Sequence, residues 1–238
     1  MTEIKVYVDT NILKYAASSL KRFRPRQQTL NWGGKEIDTT VHDIVEVNPN
    51  NNIRNNPQLR YEVELIKDIV ALEKQKNLMF CLNIETELES WGLPNMDSQT
   101  GKLYGAKVHS IEAPFKYSRV VVGWNTEPKE EQFSFIKNIQ DKRFSLIQKA
   151  VGAYQGKDKW NRNQLLDAFH LWCAEHNHCH YFLTCEAKKL RKQMSNKRDF
   201  SYIPKVVSPS ELLKAVDNNF LRKVRRAILK KKIDKEFS

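Results

Sequence analysis

Negative charge falls well short of positive in this chain. Across 238 residues, 28 Asp and Glu stand against 40 Lys and Arg, a formal net charge of +12. That imbalance favours a polyanionic partner, nucleic acid first and an anionic membrane surface second, with a solvated Lys-rich surface as the plain alternative. No apolar run is long enough to cross a bilayer, so no membrane span is expected. Glu3 and Lys5 precede an immediate strand, which is not the pattern of a signal peptide. Cysteine is scarce. Cys81 and Cys185 lie in or beside strand-like apolar runs and Cys173 lies in a helical one, as free, buried thiols do, which points to a reducing cytoplasm. Internal repeats are missing. So are paired zinc ligands: Cys173, His176, His178, Cys179 and His180 are soft-metal ligand types, but they crowd one helix-to-strand turn with no second pair elsewhere, so a polar turn is expected there.

The 40% apolar and 10% aromatic content is enough for a full core in one domain, with or without large insertions. Short apolar runs alternate with helical patterns. Ile4 to Val8 reads as a strand, followed by a helix to about Leu20 that Thr10 or Asn11 can cap. From 21 to 57 the periodicity is lost, and the Asn- and Pro-rich end of that stretch reads as loop, with short β stretches around 41–47. Leu59, Val63, Ile66, Ile69 and Val70 mark one amphipathic helix, ending near 76–77. Leu78 to Leu82 is wholly apolar, as a buried parallel strand is. A helix follows over 85–91, and then a Gly- and Pro-rich stretch, 92–128, with one strand at 119–124. Phe133 through Tyr154 marks one long helix, and 161–175 another. The chain then reads as strand (180–183), helix (188–194), strand (205–207) and a helix opened by the capping signature Ser208-Pro209-Ser210-Glu211. Strands alternating with helices predict an α/β fold with a mainly parallel central sheet.

Four acids sit at the ends of these elements: Asp9 after Val6-Tyr7-Val8, Glu87 after Leu82-Asn83, Asp167 within Leu165-Leu166-Asp167-Ala168, and Glu186 after Leu183-Thr184-Cys185. In a parallel sheet the C-terminal strand ends meet in one crevice, where ligands bind. Carboxylates gathered there repel each other unless a cation lies among them, and oxygen-only ligands suit Mg²⁺ or Mn²⁺. Each acid also has a plainer role: Asp9 as a helix cap, Glu87 and Glu186 as complements to a helix dipole, and Asp167 paired with Lys159 or Arg162. Thr10, Asn11, Asn163 and Thr184 are the polar neighbours placed to support a metal's ligands.

In this order the acids resemble the PIN-domain family of metal-dependent nucleases. The matching pieces are Val6-Tyr7-Val8-Asp9-Thr10-Asn11, Thr86-Glu87-Leu88, Asp167-Ala168, Phe182-Leu183-Thr184-x-Glu186 and the closing Val206 to Leu213. They cover roughly 4–20, 61–91 and 130–216. The resemblance implies a three-layer sandwich over 1–216 with insertions at about 21–60 and 92–128, then a basic tail, 217–238. It implies an endoribonuclease that cleaves single-stranded or structured RNA with Mg²⁺ or Mn²⁺, with Asp9, Glu87, Asp167 and Glu186 as metal ligands around an activated water. The family usually has Asp where Glu186 stands, and its members are usually shorter. A protein inhibitor or antitoxin and a homodimer are partners the resemblance admits. Two other readings stay open: a non-catalytic RNA-binding scaffold of the same fold, and a structure-specific DNA nuclease, for which no Gly-rich helix-hairpin-helix-like segment is found.

Two stretches could touch nucleic acid. Trp160 and Arg162, just before Asp167, offer a stacking ring and a phosphate-binding fork. The tail offers Arg222, Lys223, Arg225, Arg226, Lys230, Lys231 and Lys232, with Leu221, Val224 and Ile228 sharing one face of a basic amphipathic helix.

Overall fold

The computed structural model describes residues 3–16, 20–47, 53, 55–76, 78–91, 102–118, 127–156, 159–194 and 204–216. The expected strand at 119–124 and the basic tail lie outside them. The strands are β1 (Ile4–Val8), β2 (Leu20–Trp32), β3 (Lys35–Val47), β4 (Leu78–Asn83), β5 (Val108–Ile111), β6 (Tyr181–Leu183) and β7 (Lys205–Val207). The helices are α1 (Thr10–Ala16), α2 (Pro57–Glu64), α3 (Ile66–Ala71), α4 (Glu73–Lys76), α5 (Ile84–Trp91), α6 (Glu127–Lys137), α7 (Lys142–Ala150), α8 (Arg162–His176), α9 (Ala187–Met194) and α10 (Pro209–Val216).

Five strands form one parallel sheet in the order β5-β4-β1-β6-β7. Both of its faces are buried, which is why its strands read as continuous apolar runs. Alternation along each strand feeds two cores. Val6, Val8, Phe80, Leu82, Leu183 and Val207 face one, with α1, α2, α3 and α10. Tyr7, Cys81, Phe182 and Val206 face the other, with α6, α7, α8 and α9. Helices therefore cover both faces, an arrangement compatible with a three-layer sandwich. No helix among the described residues is long and apolar enough to cross a membrane.

Local chemistry sets the boundaries and corrects several sequence expectations. The expected helix from Leu59 to Lys76 is three short helices, α2, α3 and α4, joined at Leu65 and Leu72. Asn56 starts α2 by accepting from Leu59 N, with Pro57 in the first turn. The expected long helix from Phe133 to Tyr154 is two, because extended Asp141 (φ −135°, ψ 137°) caps a new helix by accepting from Phe144 N. Within 92–128, β5 was unanticipated; it is short and only half-buried, so it carries little periodicity.

The largest departure is at 21–57, expected to be mostly loop. It holds a hairpin of two 13-residue strands, β2 and β3, paired among the described residues only with each other, in register from Leu20↔Val47 to Trp32↔Lys35. Gly33 and Gly34 turn it with φ of 60° and 79°, the positive pair that a two-residue turn of matching twist demands. Most of its described side chains are exposed, including Trp32 at the tip. With no buried face to select alternate residues, the strand signal is weak.

Candidate active site

The C-terminal ends of β1 and β6 open onto a cavity of about 320 Å³. The chain runs from β1 outward to β4 and β5, then returns to β6 on the other side of β1, so this is the switch point of the sheet. Asp9 follows β1 directly. Its N–H donates to Leu183 O at 3.1 Å, and its own carbonyl accepts from Ile12 N at 3.0 Å, which fixes it between the sheet and α1. The side chain is 8% exposed. Asn11 Nδ2 donates to Asp9 Oδ2 (2.5 Å) and to Thr184 Oγ1 (2.8 Å), while Asn11 Oδ1 accepts from Cys185 N (3.0 Å). Asn11 thus ties the end of β1 to the end of β6.

Helix α8, begun by Asn161 accepting from Gln164 N, supplies the opposite wall. Asn163, Leu166, Asp167 and His170 are spaced to share one helical face, and all four line the cavity. Leu165 and Phe169 point into the second core. From the turn after β6 come Thr184 and Glu186, and from α1 come Thr10 and Lys14. Glu186 is held by Lys189 Nζ at 2.5 Å at the exposed mouth.

Three of the four acids singled out in the sequence, Asp9, Asp167 and Glu186, therefore meet in one cavity with Thr10, Asn11, Asn163 and Thr184. Glu87 is not among the lining residues; α5 contributes Glu89. The reason is helix geometry: two residues apart is about 200° of rotation, so the two side chains leave α5 on different faces. Glu85 is enclosed elsewhere, accepting from Tyr117 Oη (2.9 Å) and Gln132 Nε2 (3.0 Å).

His170, 1% exposed, is the residue that sequence reasoning passed over. Its Nε2–H donates to Glu89 Oε1 at 2.7 Å. Its Nδ1 lies 2.9 Å from Tyr7 Oη and 2.8 Å from Thr86 Oγ1, and those two hydroxyls are 2.7 Å apart. Glu89 Oε2 accepts from Thr10 Oγ1 at 2.9 Å. A buried chain thus runs Tyr7/Thr86–His170–Glu89–Thr10 behind the acids. Burial alone would lower the His170 pKa, but Glu89, then Asp9 and Asp167, reverse this and raise it.

The carboxylates are pushed the other way. Burial, opposed by Thr184 and His170, raises Asp9 from 3.8 to about 6. Burial, and then the Asp9 carboxylate, raise Asp167 from 3.8 to about 7, with Glu186 and Glu89 adding to it and His170 opposing. Asp167 has no hydrogen-bond partner among the described residues. Asp9, Glu89 and Glu186 are each engaged by a protein donor. Among the described residues no group of three or more His, Cys, Asp or Glu side chains is disposed so that it could hold a metal ion.

The other sequence candidates fall elsewhere. Arg162 pairs with Glu130 at 2.5 Å and lies 5.7 Å from the Phe133 ring centroid, so it clamps α6 to α8. Trp160 stands beside Tyr154, ring centroids 5.1 Å apart, outside the acidic cavity. In the His- and Cys-rich turn, buried Cys179 interacts with the Cys81 thiol, which raises its own pKa and lowers that of Cys81. His176, His178 and His180 are exposed, and His180 Nδ1 accepts from Lys5 N.

No family model, no curated protein and no solved structure matches this chain.

Proposed function

We propose that this chain is a divalent-metal-dependent endonuclease of PIN-like architecture, acting on RNA, with Asp9 and Asp167 at its catalytic centre. The observation that carries the reading is that pair: two buried carboxylates, with Asp9 close enough to raise the proton affinity of Asp167, at the switch point of a parallel sheet. Burying charge without a partner is costly, and such arrangements are concentrated where chemistry is done. The parallel sheet, covered by helices on both faces, supports the PIN-like sandwich.

The donors fit a hard divalent cation in kind, being oxygen-only and in excess of the nearby positive charge. Asp9 and Asp167 would hold it, with Glu186 and Glu89 completing the set once Lys189 and His170 yield them. Held there, a divalent ion would supply a water acidic enough to act as nucleophile near neutral pH and would offset charge at the leaving oxygen. The protein's part is to orient: Asn11 fixes the Asp9 carboxylate, His170 and Thr10 fix Glu89, and Leu166 and Leu190 wall the cavity with apolar surface. The net positive charge of the chain draws the polyanion in.

Incubating purified protein with single-stranded RNA or DNA, in Mn²⁺ or Mg²⁺ and in chelator, tests the proposal. Cleavage should require the ion, favour RNA and disappear in Asp9→Asn. Chelator-resistant cleavage, or full activity in Asp9→Asn, would overturn it. The engagement of Glu89 by His170 and of Glu186 by Lys189 favours a second reading, a non-catalytic RNA-binding scaffold. RNA binding with no cleavage in any divalent ion would establish that reading instead.

A further inference from the structure

A second cleft, of about 680 Å³, lies where the corner between α6 and α7 meets Trp160. Its chemistry is one-sided. Lys137, Lys142 and Lys149 are exposed along it. Asp141 is the one acid in its lining, and that carboxylate is committed to the cap of α7. Lys137 Nζ stands 5.9 Å from the Trp160 ring centroid. Trp160 Nε1 and Gln148 Nε2 in the same lining are buried and have no partner among the described residues. Three exposed cations and an indole ring, against one carboxylate that already caps α7, suit an anion that carries a flat ring.

We infer that this cleft holds a stretch of single-stranded nucleic acid, its phosphates against Lys137, Lys142 and Lys149 and a base against Trp160. The placement follows from α8. Trp160 stands two residues before α8 begins at Arg162, and Asp167 lies five residues further on, roughly 7.5 Å along the axis at 1.5 Å per residue, so one strand in the cleft is placed to reach the acidic cavity. As a holding site for substrate, the cleft rests on the nuclease reading; as a nucleic-acid site it can be tested without it. The cleft adds three cations to Lys14 and Lys189 of the acidic cavity, where four carboxylates repel phosphates.

The test is fluorescence anisotropy with a labelled 20-nucleotide uridine oligomer in chelator, so that no cleavage enters. The variant is the triple Lys137→Gln/Lys142→Gln/Lys149→Gln. Its control, with the same loss of charge, is Lys67→Gln/Lys107→Gln/Lys214→Gln. Three lost phosphate contacts at about 0.7 each should flatten the slope of log affinity against log salt by roughly 2, and weaken binding roughly 100-fold at 0.1 M salt. The control should fall well short of both. Trp160→Ala should weaken binding further, and Trp160→Phe should retain most of it. If Trp160→Ala fails to fold, the lysine triple still decides. Equal slopes in the triple and its control would overturn the proposal. So would displacement of the oligomer by uridine monophosphate at the same concentration of nucleotide units, which would mark a free-nucleotide site. Lysine-dependent binding with no cleavage in any divalent ion sinks the nuclease reading alone. Metal-dependent cleavage with equal slopes sinks the cleft alone.

Discussion

Asp167→Asn should make the metal-free protein more stable at pH 8 while abolishing its activity. Asn has nearly the shape of the protonated acid and carries no charge. Asp167 is raised to about 7 by burial, then by Asp9, against an ordinary 3.8. A folded-state pKa above the unfolded one means that the folded protein holds the extra proton between those values. Stability from this group is therefore intact below about pH 4 and is lost as pH rises through about 7. A gap of 3.2 units at 1.36 kcal/mol each is about 4 kcal/mol of strain at pH 8. In a chain of this length each kcal/mol moves Tm by roughly 2–4 °C, so the variant should melt roughly 10 °C higher at pH 8 in chelator. At pH 4.5 the two should nearly coincide. Circular dichroism melts at both pH values give the answer. Adding Mn²⁺ should raise the wild-type Tm and raise that of Asp167→Asn much less. A variant less stable than wild type at pH 8, or a Tm difference equal at both pH values, would refute the reasoning, because the cost would not then be the buried charge.

Three more expectations follow from particular contacts. Glu89→Gln should cut kcat at least tenfold, whereas Glu87→Gln should leave it within about twofold, since each factor of ten is 1.36 kcal/mol and Glu89 alone of the two lines the cavity; the reverse order in single-turnover cleavage would return the site to Glu87. Lys189→Gln should tighten Mn²⁺ binding several-fold in calorimetry, because Lys189 competes for Glu186; weaker binding would show that Lys189 supports the site. Glu62→Ala should cost about 2–4 kcal/mol in urea unfolding, since this buried carboxylate accepts from Ser208 Oγ, Ser210 N and Ser210 Oγ and anchors the start of α10 on α2; a loss under 0.5 kcal/mol would mean that water replaces it.

The parallel sheet was legible because strands buried on both faces have to be apolar throughout, and Leu78–Asn83 could hardly be anything else. Asp9, Asp167 and Glu186 were legible because strand ends in such a sheet converge. Glu89 was not, since Glu85, Glu87 and Glu89 share one short helix and its rotation is set by tertiary contacts: Gln132 and Tyr117 claim Glu85, and His170 claims Glu89. The hairpin was hidden for the opposite reason to the sheet. Most of its described side chains are exposed, so no alternation marks the strands, and the turn at Gly33-Gly34 was not read from the sequence.

His170 shows where spacing alone carries a reading and where it stops. A histidine three residues after an aspartate shares its helical face, but as no obvious cation His170 is set aside in the sequence. By itself a histidine is a poor counter-ion, because burial favours the neutral ring. What raises its pKa here against burial is the company of acids: Glu89 from α5 at 2.7 Å, then Asp9 after β1 and Asp167 on α8 itself, while the Tyr7 and Thr86 hydroxyls stand at its other nitrogen. The same ring that lowers the pKa of both Asp9 and Asp167 also occupies Glu89. Glu89, held by Thr10 as well as by His170, would therefore be a ligand already in place for an ion that displaced the ring.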